Sequence, residues 1–285
     1  MNVRFFSLAC MSCIAMLADR VASAANVNDF IDFTMPNPGI GSALLPGRLY
    51  VPPEAAIGPR PLILFLHGAG ESGTNNTAQV NGNIDNLLAE AKRRGAYLYA
   101  PQTNNGWGNT TTNGRVMSMI ERATIEQSIN TNRLYVTGLS MGGGGVWNLL
   151  NFYGDRFAAG VPICGVAPMT GFLSSNMLDE PIWAFHARND STVNVSNSRN
   201  RINGILAAAG QPAPAYPGTG DFLFDSATLD LHYTEYATGG HGIWPRVYAT
   251  PAMYNWLFAQ AIPEPGSLTL LATMALLLIA QRRRC

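Results

Sequence analysis

A serine sits between two glycines at the end of an apolar run, in Leu134-Tyr135-Val136-Thr137-Gly138-Leu139-Ser140-Met141-Gly142-Gly143. Gly-x-Ser-x-Gly after a β-branched run fits a sharp strand-to-helix turn. A serine at such a turn occupies strained backbone, so its neighbours two residues away must lack side chains. The helix that follows aims its first N–H groups back at the turn, where a developing oxyanion would sit. A glycine-rich loop that merely holds a serine has the same local pattern. The rest of the chain must therefore supply a base, an acid and a second oxyanion donor in a compatible order.

Residues 61–66 form a continuous apolar run bounded by Pro61 and Gly68, which predicts a strand buried on both faces. It runs into the polar turn His67-Gly68-Ala69-Gly70. Residues 47–52, 96–100, 157–164, 181–186 and 231–236 read as further strands, and 222–224 as a short edge strand. Helices are expected at Asp85–Arg94, which is closed by Gly95 with cations in its last turn, and over 116–128, 145–152, 197–209 and 251–259. The Gly/Asn/Thr-rich stretch 102–114 reads as a surface loop, residues 130–133 as a turn, and the Pro/Gly-rich stretch 211–220 as an insertion. Strands alternating with helices imply an α/β fold with a mostly parallel sheet and helices on both faces. Ligands in such sheets bind beyond the C-terminal strand ends. The turns at His67 to Gly70, Ser140, Asp190 and His241 all follow strands directly, so all four are expected at one edge.

The order Ser140, Asp190, His241 is that of the α/β-hydrolases. Residues 47–260 resemble the dienelactone-hydrolase-like and prolyl-oligopeptidase-like serine hydrolases. Among these it resembles the secreted carboxylesterase or "predicted peptidase" group, near polyhydroxybutyrate depolymerases and feruloyl esterases. The resemblance is carried by Leu66-His67-Gly68-Ala69-Gly70-Glu71, by residues 132–143 around Ser140, by Ala184-Phe185-His186 through Asp190, by Gly239-Gly240-His241-Gly242-Ile243-Trp244, and by Tyr254-Asn255-Trp256-Leu257-Phe258. It implies an α/β-hydrolase fold. Ser140 is then the nucleophile, His241 the base and Asp190 its orienting acid, with Met141 and Ala69 N–H groups as oxyanion donors. It also makes His67 a structural turn residue. His186, at a strand end, reads as a satisfied histidine near the site, and His232 lies on a strand. Asp179, Asp221, Asp225 and Asp230 read as loop or strand-edge residues. Trp107 is either a loop anchor or a substrate platform; Trp107, Trp244 and the insertion are expected to shape the substrate pocket. No spacing suggests zinc, and no lysine follows the glycines at 142–145 as in a P-loop, so no cofactor is expected.

Both ends read as processing signals. Arg4, an apolar run over 5–17 and Ala22-Ser23-Ala24 resemble an export signal over residues 1–24, although an apolar N-terminal helix has the same composition. Pro263-Glu264-Pro265, an apolar run over 268–280 and Arg282-Arg283-Arg284 resemble a PEP-CTERM sorting signal over residues 263–285, which implies an exosortase-type partner. Thirteen helical residues span about 20 Å, short of the roughly 30 Å hydrocarbon core, and a plain single-pass anchor is the alternative. The hydrolase domain then occupies residues 25–262. Its one cysteine, Cys164, cannot form an internal disulfide. Charged residues are only 13% of the chain, with 18 basic and 18 acidic, which fits an exported protein and gives no reason to expect a nucleic-acid partner.

The expectation is thus an exported serine esterase on the surface or in the matrix or outer envelope of a Gram-negative bacterium. Its substrate would be a small or polysaccharide-linked ester, with membrane contact only through the C-terminal segment. A peptidase on the same residues, and a non-catalytic surface protein with this fold, are the alternatives.

Overall fold

The computed structural model describes residues 24–35, 45–167 and 170–263. The export and sorting signals fall almost wholly outside the described residues. Among the described residues, no helix is long and apolar enough to cross a membrane.

The strands are β1 (Ile31–Asp32), β2 (Gly47–Tyr50), β3 (Arg60–Leu66), β4 (Tyr97–Pro101), β5 (Ile129–Leu139), β6 (Ala159–Ile163), β7 (Ile182–Ala187), β8 (Phe222–Asp225) and β9 (Leu231–Tyr236). They form one sheet in the order β1-β2-β4-β3-β5-β6-β7-β9-β8. The pairings from β4 through β9 are parallel; β1, β2 and β8 join antiparallel at the two edges. The helices are α1 (Asp85–Arg94), α2 (Thr110–Glu126), α3 (Met141–Tyr153), α4 (Ser196–Ala208), α5 (Trp244–Tyr248) and α6 (Pro251–Leu257).

Alternation along β3 explains the two-sided core. Leu62, Leu64 and Leu66 belong to the buried cluster that includes residues of α2, α3 and α4, whereas Ile63 and Phe65 belong to the one that includes residues of α1, α5 and α6. This arrangement is the α/β-hydrolase fold.

Several boundaries differ from the sequence reading, each for a physical reason. Helix α2 begins inside the expected loop, because the Asn109 side chain accepts from the Thr112 N–H and caps it. The polar residues 130–133 lie within β5, whose first residue Ile129 already pairs with Arg60 across a register shift. Helix α3 starts at Met141, so all four glycines of 142–145 are helical. A short helix, α5, opens on Trp244-Pro245, with the proline in its first turn where no N–H is needed.

At the opposite edge from the strand ends, Asp155, Asp179 and Glu180 line a cavity of about 440 Å³ together with Phe157, Pro181 and Ile262. Burial, reinforced by Asp155 and Asp179, pushes Glu180 up to about 7. A carboxyl raised in the folded state contributes stability below its ordinary value of 4.5, and this is lost as pH rises through about 7. Glu180→Gln should therefore raise the unfolding midpoint more at pH 8 than at pH 5, measured by thermal melts. Equal shifts at both pH values would rule out this assignment.

Candidate active site

The turn between β5 and α3 holds Ser140 at φ 56°, ψ −116°, a conformation that L residues rarely adopt. Backbone bonds fix it there. Ser140 N–H donates to the Ile163 carbonyl at 2.9 Å, and the Ser140 carbonyl accepts from Gly144 at 3.1 Å and Val166 at 3.2 Å. A Cβ on Gly142 would lie 1.9 Å from the Leu66 carbonyl oxygen and 2.7 Å from that of His67. One on Gly68 would lie 2.6 Å from the Leu139 side chain. The end of β3 and the start of α3 thus meet backbone to backbone, which brings the His67–Gly70 turn beside Ser140.

His241 follows β9 on a turn made by Gly239 (φ 129°) and Gly240 (φ 61°), and Gly240 N–H donates to the Asn189 side chain at 2.9 Å. His241 Nε2 is 2.8 Å from Ser140 Oγ, and Nδ1 is 2.7 Å from Asp190 Oδ2. In the neutral ring, Nδ1–H donates to the carboxylate and Nε2 accepts the serine proton. The Asp190 carboxyl is sealed from solvent, whereas the His241 side chain keeps 19% of its exposure. Burial alone would raise Asp190. The His241 hydrogen bond and the backbone N–H groups of Val193 and Thr192, at 2.9 and 2.8 Å on Oδ1, outweigh it and hold the carboxyl below its ordinary value.

The other histidines have different surroundings. His186 is buried behind Asp190, with Nε2 2.9 Å from the Val193 carbonyl and 3.2 Å from Asp190 Oδ2, and Nδ1 2.7 Å from Ser198 Oγ. The carbonyl can only accept, so Nε2 carries the proton and Nδ1 accepts from Ser198. Burial lowers its affinity for a second proton. His67 is buried as well. Its Nδ1 lies 2.6 Å from its neighbour's carbonyl, and its Nε2 accepts from Thr103 N–H at 3.1 Å. His232 lies between Asp225 at 2.6 Å and Asp230 at 2.9 Å, with no contact to Ser140 or His241.

Trp107 requires a correction. Only 1% of it is exposed; its Nε1 donates to the His67 carbonyl at 2.9 Å, and a Cβ on Gly145 would lie 2.5 Å from its own Cβ. It packs behind the serine turn and offers no face to a substrate. Trp244 is half-buried and meets the His241 ring edge-on at 5.6 Å, with Nε1 donating to Asn83 at 2.9 Å. Asn83 in turn donates to Glu71. Ala69 and Gly70 are exposed in a single 3₁₀ turn, and Met141 opens α3, where its N–H has no acceptor within the helix.

One residue near the site escaped sequence reading. Buried Gln102 accepts from Asn76 N–H at 2.6 Å and donates to the Glu71 carbonyl and to Asn75, each at 3.0 Å, bracing the turn that holds Ala69. Its position just after β4 was the available signal. Cys164, at φ 46°, places its thiol beside Asp190, and burial followed by that carboxylate pushes the thiol up. Donor atoms of Cys164, Asp190 and His241 lie within 4.8 Å of one another. The thiol keeps its proton and the Asp190–His241 contact is already made, so this cluster is a hydrogen-bonded set and a poor metal cage.

On this α/β-hydrolase fold, Ser140, Asp190 and His241 follow β5, β7 and β9 and meet at one edge of the sheet. Comparison with known proteins agrees on the fold. A thermostable esterase of known structure is 32% identical, with a TM-score of 0.68 over 82% of this chain and 64% of that one. The acetyl xylan esterase of Aspergillus awamori is 13% identical, with a TM-score of 0.58 over 85% of this chain and 96% of that one. A bifunctional acetylxylan esterase/xylanase of Neocallimastix patriciarum is 28% identical over 139 residues, 47% of this chain. The chain spans only about a fifth of that relative's length. No family model matches the sequence.

Proposed function

We propose that this chain is a serine carboxylic-ester hydrolase working through an acyl-enzyme. The reading rests on the His241 imidazole, which bridges Ser140 Oγ at 2.8 Å and Asp190 at 2.7 Å. Ser140 Oγ attacks the ester carbonyl as its proton passes to His241 Nε2. Asp190 holds the ring in the tautomer that leaves Nε2 free, and stabilises the imidazolium. The oxyanion is bound by the N–H groups of Met141 and Ala69. Collapse breaks the bond to the alkoxy oxygen, which takes the proton from His241. Water, deprotonated by the same ring, then releases the carboxylic acid and restores the Ser140 hydroxyl. Trp244 borders the space above His241 and contacts the substrate.

The thermostable esterase at 32% identity supports an ester over an amide, and the acetylxylan relative supports a carbohydrate-linked acyl or aryl ester. Ala22-Ser23-Ala24 and the Pro263-Glu264-Pro265 tail extend the proposal to an exported protein that an exosortase-type enzyme sorts to the cell surface. The purified protein should turn over p-nitrophenyl acetate and acetylated xylan and leave peptide anilides intact. Faster anilide cleavage would make it a peptidase built on the same three residues.

A further inference from the structure

Arg201, in the second turn of α4, is a half-buried cation without a counter-charge among the described residues. Its Nε is sealed from solvent and has no hydrogen-bond partner. One Nη donates to the Asn197 carbonyl, and the guanidinium lies 6.0 Å from the Phe172 ring. Burial pulls its proton affinity down to about 10, and among the described residues no neighbouring carboxylate offsets it. Arg199 on the same helix shows the usual solution, two bonds to Glu235 at 2.6 and 2.7 Å. An arginine with an unmet donor is unfavourable unless something else supplies the anion.

Arg201 lines an open cavity of about 380 Å³ together with Ala167, Phe172, Ser174, Asn197 and Asn200. The lining offers one cation, three neutral polar side chains and an aromatic wall, and no acid. It adjoins the serine turn on one side: Val166 N–H donates to the Ser140 carbonyl, and Ala167 is the next residue. On the other side, Ser198 of α4 hydrogen-bonds His186, which lies 3.2 Å from Asp190. The cavity is thus linked to the serine turn through Val166 and Ala167, and to Asp190 through α4, Ser198 and His186.

We propose that this cavity is a carboxylate-binding subsite, in which Arg201 pairs with an anionic group carried by the ester substrate on its acyl or alcohol side. The inference rests on the ester-hydrolase reading and narrows it to acidic esters. A planar guanidinium suits a carboxylate because it can offer two parallel N–H donors.

Two matched pairs of esters test it. p-Nitrophenyl hemisuccinate against its methyl ester, corrected for spontaneous hydrolysis, places the charge on the acyl side. 4-Acetoxybenzoate against methyl 4-acetoxybenzoate places it on the alcohol side. In one pair the anionic member should show kcat/KM about tenfold higher or more. That ratio should fall to about one in Arg201→Met and be partly kept in Arg201→Lys. Free glutarate should compete with the neutral esters and raise the unfolding temperature of the unaltered protein. If Arg201→Met fails to fold, the ratios and the glutarate competition of the unaltered protein still decide. Equal turnover within both pairs, with no effect of glutarate, would overturn the subsite. Absence of turnover of all four esters by folded protein would instead defeat the hydrolase reading, while the glutarate shift, which needs no turnover, would still report on the subsite.

Discussion

Ser140→Ala should lower kcat/KM for any ester the protein turns over by about 10,000-fold or more, with little change in the unfolding temperature. The rate loss follows from losing the nucleophilic hydroxyl that His241 Nε2 contacts at 2.8 Å. What remains is catalysis by oxyanion binding and positioning alone. Stability should barely move, because alanine keeps the Cβ that makes φ 56° costly and leaves the backbone bonds of residue 140 intact. Ser140→Gly removes that Cβ and should be equally inactive, yet more stable than the alanine variant by about 1 kcal/mol. Kinetics and thermal melts on the two variants thus separate the chemical role of the hydroxyl from the strain of the turn. Persistent turnover in purified Ser140→Ala would place the nucleophile elsewhere. Inactivity of the unaltered protein towards all esters would favour a surface protein that keeps the fold without the chemistry.

Gly142→Ala should cost at least about 3 kcal/mol or prevent folding altogether. In an exposed helix the same change gains about 1 kcal/mol. Here the new methyl would lie 1.9 Å from the Leu66 carbonyl oxygen. Neither side can withdraw easily: Leu66 ends β3, a central strand paired to β4 and β5, and Gly142 lies in the first turn of α3, two residues after Ser140. Relief would have to move the serine turn itself, so residual folded protein should also be poorly active. Gly114→Ala is the matched control. It lies within α2, and a Cβ there meets nothing within 4 Å, so that variant should be as stable as the original or more so. Denaturant melts of the two variants make the comparison; equal stabilities would contradict the close approach of β3 and α3.

Much of this architecture was legible because strand ends announce themselves locally. A strand pattern closed by a polar or glycine-rich turn, at His67-Gly68, Ser140, Asn189-Asp190 and Gly239-Gly240-His241, needs no knowledge of partners, and parallel pairing then collects those turns at one edge. The features that escaped depend on partners distant in sequence. Trp107 sits in a polar stretch that reads as a surface loop, yet its indole N–H finds a carbonyl 40 residues away and the ring is buried. The glycines at 142–145 disfavour a helix by propensity, and only the proximity of Leu66, Ile163, Val166 and Trp107 explains why side chains are absent there. Residues 130–133 are polar enough for a turn, but they continue β5 across the register shift between the Ile129–Arg60 and Leu134–Leu62 pairs, where the Asn132 carbonyl accepts from the distant Ile262 N–H. Arg201 resembles any helix-surface arginine in the sequence; what sets it apart is the missing acid, which only the folded chain reveals.

Ser140 and His241 are 101 residues apart, and in the sheet β6 and β7 lie between the strands that carry them. Their contact cannot form until β5, β6, β7 and β9 have paired in sequence across the molecule. Long-range parallel pairing of this kind is slow, since chain closure must precede the contacts that reward it. Returning esterase activity during refolding would therefore serve as a clock for the last strand docking, trailing the burial of Trp107 and Trp147 in the half of the sheet built around β3 and β5.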